Sequence, residues 1–198
     1  MTNNDRPTLR DLADVTSGPS GSLLEKLGDE PDGVPVVTPT DIVGWNQVDA
    51  RKLRRLPNDV AQRLKRFRLE GGDIVLVRQG SLGRLTVVGP NLEGALYNSS
   101  CARVRRRDQR VLPEYLGLYL SSPAMQEEML RRALPGTVQS LNAAILGSLP
   151  VKVPPIDRQH DVVAAINDID ELARIHRATA DRLDLLKRTV LENVLDEG

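Results

Sequence analysis

GGDIVLVRQGSLGR, residues 71–84, decides what kind of fold this chain has. A glycine-dense loop straight after an apolar run opens a helix in nucleotide-binding folds, whereas in all-strand units it closes a hairpin. GSLGR has neither the spacing nor the lysine of GxxxxGK[ST], and nothing here matches GxGxxG opening a helix. A nucleophile elbow is excluded too, because no residue separates Gly80 from Ser81. After Gly83 the chain continues RLTVVG, again of strand composition. The spacing predicts a hairpin, with a strand over 73–78, a Gly/Ser turn and a strand over 84–88. Arg78 and Arg84 flank the turn, and a turn so flanked can present donors to a groove.

Working outward, VPVVTPTDIV (34–43) and CARVRRRD (101–108) also have strand composition, with Gly, Pro and Asn between the runs. PNDVAQRLKRFRL (57–69) predicts a helix: Pro57, Asn58 and Asp59 make a start, and Val60, Leu64 and Phe67 recur at helical spacing. A second helix is predicted over 113–133, broken near Pro123, and a short third over 140–149. After Pro154-Pro155 the pattern changes. Residues 156–195 hold no Gly or Pro and read as one long helix. Val162, Ala165, Ile169, Leu172, His176, Thr179, Leu183, Leu186, Val190 and Asn193 alternate in steps of three and four, a heptad seam. The competing reading is a helix lying on its own domain, which Ile166, Ala173, Ala180 and Val194 favour by widening the stripe. The expected organisation is therefore an α/β (α+β) globular domain over 1–155, with a twisted mixed sheet and short helices, followed by a coiled-coil helix over 156–198.

The 198 residues are 40% hydrophobic and 27% charged, as in a soluble globular protein. No run approaches the ~18 apolar residues that span a bilayer, and the opening MTNNDRPTLRDLADV carries acids where a signal peptide carries bases. The expected location is the cytoplasm, with no membrane partner. One cysteine, Cys101, and two histidines exclude an internal disulfide and argue against a structural zinc site. No metal and no cofactor are expected. His160, His176 and Cys101 form no nucleophile–base spacing, and the paired acids read as solvated helix residues. The five aromatics are too scattered for a base-stacking platform. Nothing in the chain reads as a catalytic centre.

A formal net charge of zero hides an uneven distribution. Residues 1–50 carry three bases and nine acids; residues 51–110 carry fifteen bases and five acids, a balance of +10. All but Lys52 and Lys65 of those fifteen are arginine, the residue that binds phosphate and guanine edges bidentately. The block reads either as a nucleic-acid footprint or as an arginine-rich solvated face.

Taken in order, several segments resemble the target-recognition domain of specificity subunits of type I restriction–modification systems. They are LRDLADVTSG (9–18), GVPVVTPTDIVG (33–44), FRLEGGDIVLVRQGSLGR (67–84), YNSSCARVR (97–105) and PEYLGLYLSS (113–122). The most specific is PGTVQSLNAAILGSLPVKVPPIDRQHDVVAAI (135–166), with Gly136, Thr137, Gln139, Leu149-Pro150, Val153-Pro154-Pro155 and Gln159 where that family has its loop, strand and spacer-helix start.

The resemblance implies a non-catalytic subunit that reads half of a split duplex target while a modification subunit methylates adenine. On that reading Arg78, Gln79, Ser81 and Arg84, with Thr137, Gln139, Ser140 and Asn142, are the candidates to read bases. Lys52, Arg54 and Arg55, with Arg105, Arg106 and Arg107, are the candidates for phosphate contacts. Implied partners are double-stranded DNA, the adenine methyltransferase subunit and, in systems that restrict, a restriction subunit. The usual family member holds two recognition domains and two spacer helices, and this chain has one of each. A homodimer through the seam residues Val162 to Val190 is therefore expected. An assembly scaffold that no longer reads DNA is the alternative; a small hydrolase or nuclease is disfavoured because no acid–histidine–lysine cluster is present.

Overall fold

In the computed structural model, which describes residues 6–20 and 27–196, the predicted hairpin is present. The side chains of residues 193–196 are not described, so Asn193 at the end of the seam, like the polar opening at 1–5, lies outside the described part. The hairpin strands are β6 (Ile74–Val77) and β7 (Leu85–Val87), paired antiparallel from Ile74↔Val87 to Leu76↔Leu85. Their turn closes where the Val77 and Gly83 amides donate to Arg84 and Val77 carbonyls. Gly80 and Gly83 both have φ of +82°, a region that glycine enters without steric cost.

The hairpin lies in a four-stranded antiparallel sheet. β1 (Ala13–Ser17) follows the single-turn α1 (Leu9–Leu12), and β9 (Cys101–Arg106) pairs with it from Ala13↔Arg106 to Ser17↔Ala102. The strand order is β1-β9-β6-β7. A second, three-stranded sheet is formed by β2 (Val34–Val37), β5 (Arg55–Leu56) and β8 (Leu96–Tyr97), in the order β5-β2-β8. β2 runs antiparallel to β5 and parallel to β8. β3 (Ile42–Gly44) and β4 (Gln47–Val48) form a separate ribbon. The single mixed sheet expected from the sequence is thus divided: an antiparallel sheet and a small mixed one, which share a core.

That core follows from the period-2 geometry of strands. Val75, Val77 and Cys101 on one face of the larger sheet pack with Val36, Val37, Leu56, Leu96 and Tyr97 of the smaller. α2 (Asn58–Arg63) and the 3₁₀ turn Lys65–Phe67 close this cluster with Val60, Leu64 and Phe67. The expected helix over 57–69 is therefore an α turn followed by a tighter one. On the larger sheet's other edge, α3 (Pro113–Ser121) lies on β7 so closely that a Cβ on Gly117 would come 2.8 Å from Val87 Cγ2. α4 (Pro123–Arg132) begins at the expected proline break, and α5 (Ala143–Gly147) packs on β1 and α1.

The chain forms two units, Met1–Ile156 and Asp157–Gly198. The second is one helix; α6 runs continuously from Ile156 to Asp196, 41 residues. Its surface is lined with exposed aliphatics, among them Ile169, Leu172, Leu183, Leu186 and Val190 at 54% to 62% exposure. No helix among the described residues is long and apolar enough to cross a membrane.

Candidate nucleic-acid interface

One end of the larger sheet gathers loops from distant parts of the chain. The C-terminal ends of β1 and β6 and the N-terminal end of β9 meet there, because Ser17 pairs with Ala102 and Val77 with Cys101. Gly18 beyond β1 donates its amide to the Cys101 carbonyl, and a Cβ there would fall 2.0 Å from the Asn98 carbonyl oxygen. Only glycine allows that approach. A further loop, 134–142, joins the same end; its neck is closed by paired amide–carbonyl bonds between Leu134 and Ser140, and its tip at 135–139 is exposed.

Arg78 ties these loops together. Its Nε donates to the Leu141 carbonyl at 2.9 Å and its Nη1 to the Ser99 carbonyl at 2.7 Å. The Leu141 amide returns a bond to the Arg78 carbonyl, and Gln79 bridges to Ser140. The Arg78 guanidinium is therefore spent on holding backbone. The other side of the hairpin turn is pinned by α4, whose Gln126 Nε2 donates to the Gly83 carbonyl at 3.1 Å.

The eight candidate base readers sort accordingly. Ser81, Arg84, Thr137 and Gln139 are exposed in this loop cluster, whereas Gln79 is half-buried and its Oε1 accepts from the Ser100 hydroxyl at 3.4 Å. Arg84 donates to Ile42 O and Ser81 Oγ, yet its side chain remains exposed to solvent. Ser140 is held in the neck, and Asn142 caps α5 by accepting the Ile145 amide at 2.8 Å. Val138, which sequence reasoning passed over, is 58% exposed at the loop tip. An apolar side chain flanked by threonine and glutamine on a loop tip was the available signal.

The phosphate candidates do not form one patch. Arg105 to Arg107 lie at the opposite end of β9 from Cys101, roughly 13 Å away at ~3.3 Å per residue. Arg105 is bound to Asp73 through both Nε and Nη2, at 2.8 and 2.7 Å, and to Glu70 at 2.6 Å. The hydrogen bonds to Asp73 hold its pKa above the ordinary guanidinium value. Arg107 pairs with Asp14 and donates to the Arg10 carbonyl; Arg106 faces the Val111 carbonyl. Arg54 bonds the Leu27 carbonyl and Arg55 the Gly33 carbonyl, while Lys52 shares Asp49 with Arg51. Much of the +10 block therefore stitches the fold together.

Three cations that sequence reasoning left unassigned do converge. Arg63 and Arg66 are exposed on the 63–67 segment, opposite the Val60–Leu64–Phe67 stripe, and Arg103 lies beneath them on β9. The three-residue spacing of Arg63 and Arg66 on the outer face was a legible signal. Among the described residues no group of three His, Cys, Asp or Glu could hold a metal ion. Cys101 is buried, and burial pushes its thiol up to about 12, the reverse of a reactive cysteine.

Comparison with known proteins agrees with this architecture. Residues 5–185 match the type I restriction modification DNA specificity domain. The chain belongs to that family. It is 26% identical over 147 residues to the specificity subunit of the Escherichia coli type I restriction enzyme EcoBI, covering 74% of this chain and 31% of that protein. It is 22% identical over 195 residues to a putative type I specificity subunit, MjaX, of Methanocaldococcus jannaschii, covering 96% and 45%. The chain thus spans less than half the length of either relative. Among solved structures, a chain of a type I R-M system matches with a TM-score of 0.66 at 20% identity, over 92% of this chain and 42% of that one. The S subunit from M. genitalium matches with a TM-score of 0.56 at 18% identity, over 86% and 41%. The domain matched is a DNA specificity domain, and both curated relatives are named as specificity subunits.

Proposed function

We propose that the loop cluster at the β1–β6–β9 end reads one half of a duplex DNA target and directs a DNA adenine methyltransferase to it. The observation that carries this reading is the convergence of the 78–84 hairpin and the 134–142 loop, held together by Arg78. Ser81, Arg84, Thr137 and Gln139 are then exposed there as donors and acceptors, with Gln79 half-buried behind them. Glutamine pairs bidentately with adenine, arginine with guanine, and Val138 suits a thymine methyl group. Because Arg78 holds the loops from behind, it acts on every base position alike.

The long helix supplies the spacing. A second copy of this chain, with its helix antiparallel, restores two reading domains. A dyad between His176 and Thr179 sets Leu172 against Leu183, Ile169 against Leu186 and Ala165 against Val190, with each His176 facing a Thr179 as a polar layer that fixes register. At ~1.5 Å per residue, 41 residues make a ruler of roughly 60 Å. A two-fold protein then demands an interrupted palindrome of fixed half-site spacing. The methyltransferase, and in restricting systems a nuclease subunit, dock on this assembly.

Selection of bound duplexes from a randomised pool tests the reading, with the chain alone and with its methyltransferase. The expected outcome is enrichment of an interrupted palindrome. An unenriched pool points instead to the scaffold reading. In parallel, Leu172→Asp with Leu183→Asp should give monomers by analytical ultracentrifugation.

A further inference from the structure

Arg103 is 8% exposed, and its Nε has no hydrogen-bond partner among the described residues. Its Nη1 is fixed by the Arg66 and Arg68 carbonyls at 3.1 and 3.3 Å, so the side chain is held in place with one buried donor unused. A buried guanidinium without a carboxylate is costly. The cleft of about 440 Å³ that Arg103 lines is bounded otherwise by Thr16, Ser17, Arg66 and Phe67. It adjoins a second cleft of about 390 Å³ that adds Arg63 and the Gly18–Ser20 segment. Among the described residues, no acidic side chain lines either cleft. Asp73 and Glu70, the nearest acids along β6 and its approach, are engaged by Arg105, and Asp14 on β1 by Arg107.

The walls suit one class of ligand. Arg66 is stacked over the Phe67 ring at 4.7 Å, which holds a cation at the rim. Arg63, one turn earlier, stands exposed beside it. Thr16 sits directly across the strand pair from Arg103 and so shares its face. Two guanidiniums, Arg66 and Arg103, and the Thr16 hydroxyl line this cleft, and Arg63 lines the one adjoining it; the set matches a tetrahedral anion. We propose that this cleft seats a backbone phosphate of the duplex, with Arg63 and Arg66 at its mouth and Arg103 as its floor.

Position favours a phosphodiester over a free anion. The cleft lies at the same sheet end as the reading loops: Gly18 abuts the Asn98–Cys101 turn, and Arg78 bonds to Ser99 in that turn. One duplex can therefore touch both. The inference rests on the DNA-reading function proposed above and adds a phosphate site to it. That site differs from the phosphate contacts expected of Arg105–Arg107.

The test measures duplex affinity against salt for the full chain, with its methyltransferase, and for Arg63→Ala/Arg66→Ala. Both residues are exposed, so the fold is retained. Losing these charge-assisted bonds should weaken all sequences alike by roughly ten- to a hundredfold. The slope of log affinity against log salt should fall by about 0.9 for the one phosphate lost. Duplexes with a single methylphosphonate should show one position that weakens wild type and leaves the double variant unaffected. In parallel, the Arg103 Nε–H resonance should shift on duplex addition. If the double variant keeps wild-type affinity and salt slope while still selecting its motif, the cleft is not a phosphate seat and the DNA-reading function stands. If inorganic phosphate shifts the resonance but no methylphosphonate position matters, the site takes free anions and the proposal is overturned. A wild-type chain that binds no duplex overturns both readings.

Discussion

Replacing Arg78 with alanine separates a structural arginine from a base-reading one. The substitution removes two charge-assisted bonds, to Leu141 O at 2.9 Å and Ser99 O at 2.7 Å. Bonds of this kind contribute about 1.5–3 kcal/mol each. Arg78 is half-buried, so water replaces part of the loss, and about 2–3 kcal/mol remains. At about 2–4 °C per kcal/mol for a unit of this size, the thermal midpoint of the globular unit should fall by roughly 5–10 °C. Hydrogen exchange should locate the change, with the Leu141 amide, bonded to the Arg78 carbonyl, losing protection. Arg78→Lys, which can reach one carbonyl but not both, should recover about half of the stability. DNA affinity should drop for every sequence together. Unchanged stability and exchange, accompanied by relaxed preference at a single base pair, would refute this account of Arg78.

Three further outcomes rest on the same geometry. Gly18→Ala places a methyl against the Asn98 carbonyl and should cost about 1–3 kcal/mol in urea unfolding, with the loop end most affected; a neutral result would mean the close approach is not required. Asp73→Ala removes two of the Arg105 bonds and the acceptor of the Glu70 amide, while Glu70 and the Arg68 carbonyl still hold the guanidinium, so a loss of about 2–3 kcal/mol is expected, and adding Arg105→Ala should recover part of it. Burial raises the Cys101 thiol and the Tyr97 hydroxyl to about 12, from ordinary values of 9.0 and 10.0. Their folded values exceed the unfolded ones, so their contribution is intact below pH 9 and is lost as pH rises toward 12. The slope is about 1.4 kcal/mol per pH unit for each proton. In Cys101→Ala the onset should move up by about one unit, to the range where Tyr97 ionises when unfolded.

Much of the local structure was legible because it rests on local chemistry. The GSLG turn needs φ > 0 at Gly80 and Gly83, the helix break needs Pro123, and the absence of Gly and Pro after Pro155 yields an unbroken helix. Less legible were the features that depend on distant partners. β5 and β8 are two residues long and exist only because β2 lies between them. That division into two sheets leaves no periodic trace in the sequence.

The candidate site shows the same limit. The hairpin and the 134–142 loop were recognisable as loops, but their meeting is a tertiary fact that Arg78 makes. Charge counting treated fifteen cations alike. The fold uses Arg105 for Asp73, Arg54 and Arg55 for backbone carbonyls, and Arg103 as a buried floor. Arginine's five donors serve backbone carbonyls as well as phosphates, so a basic run alone does not distinguish stitching from binding.

If the loop cluster reads bases, Gln139, exposed at its tip, is the sharpest probe of that reading. The decisive measurement is adenine-methylation mapping in cells that co-express the methyltransferase with wild-type or Gln139→Ala chain. Loss of one bidentate contact is worth about 1–3 kcal/mol at a single base pair. The expected motif is relaxed at one position in each half-site, with the spacing kept. The wild-type motif methylated at lower yield, with no position relaxed, would contradict that reading.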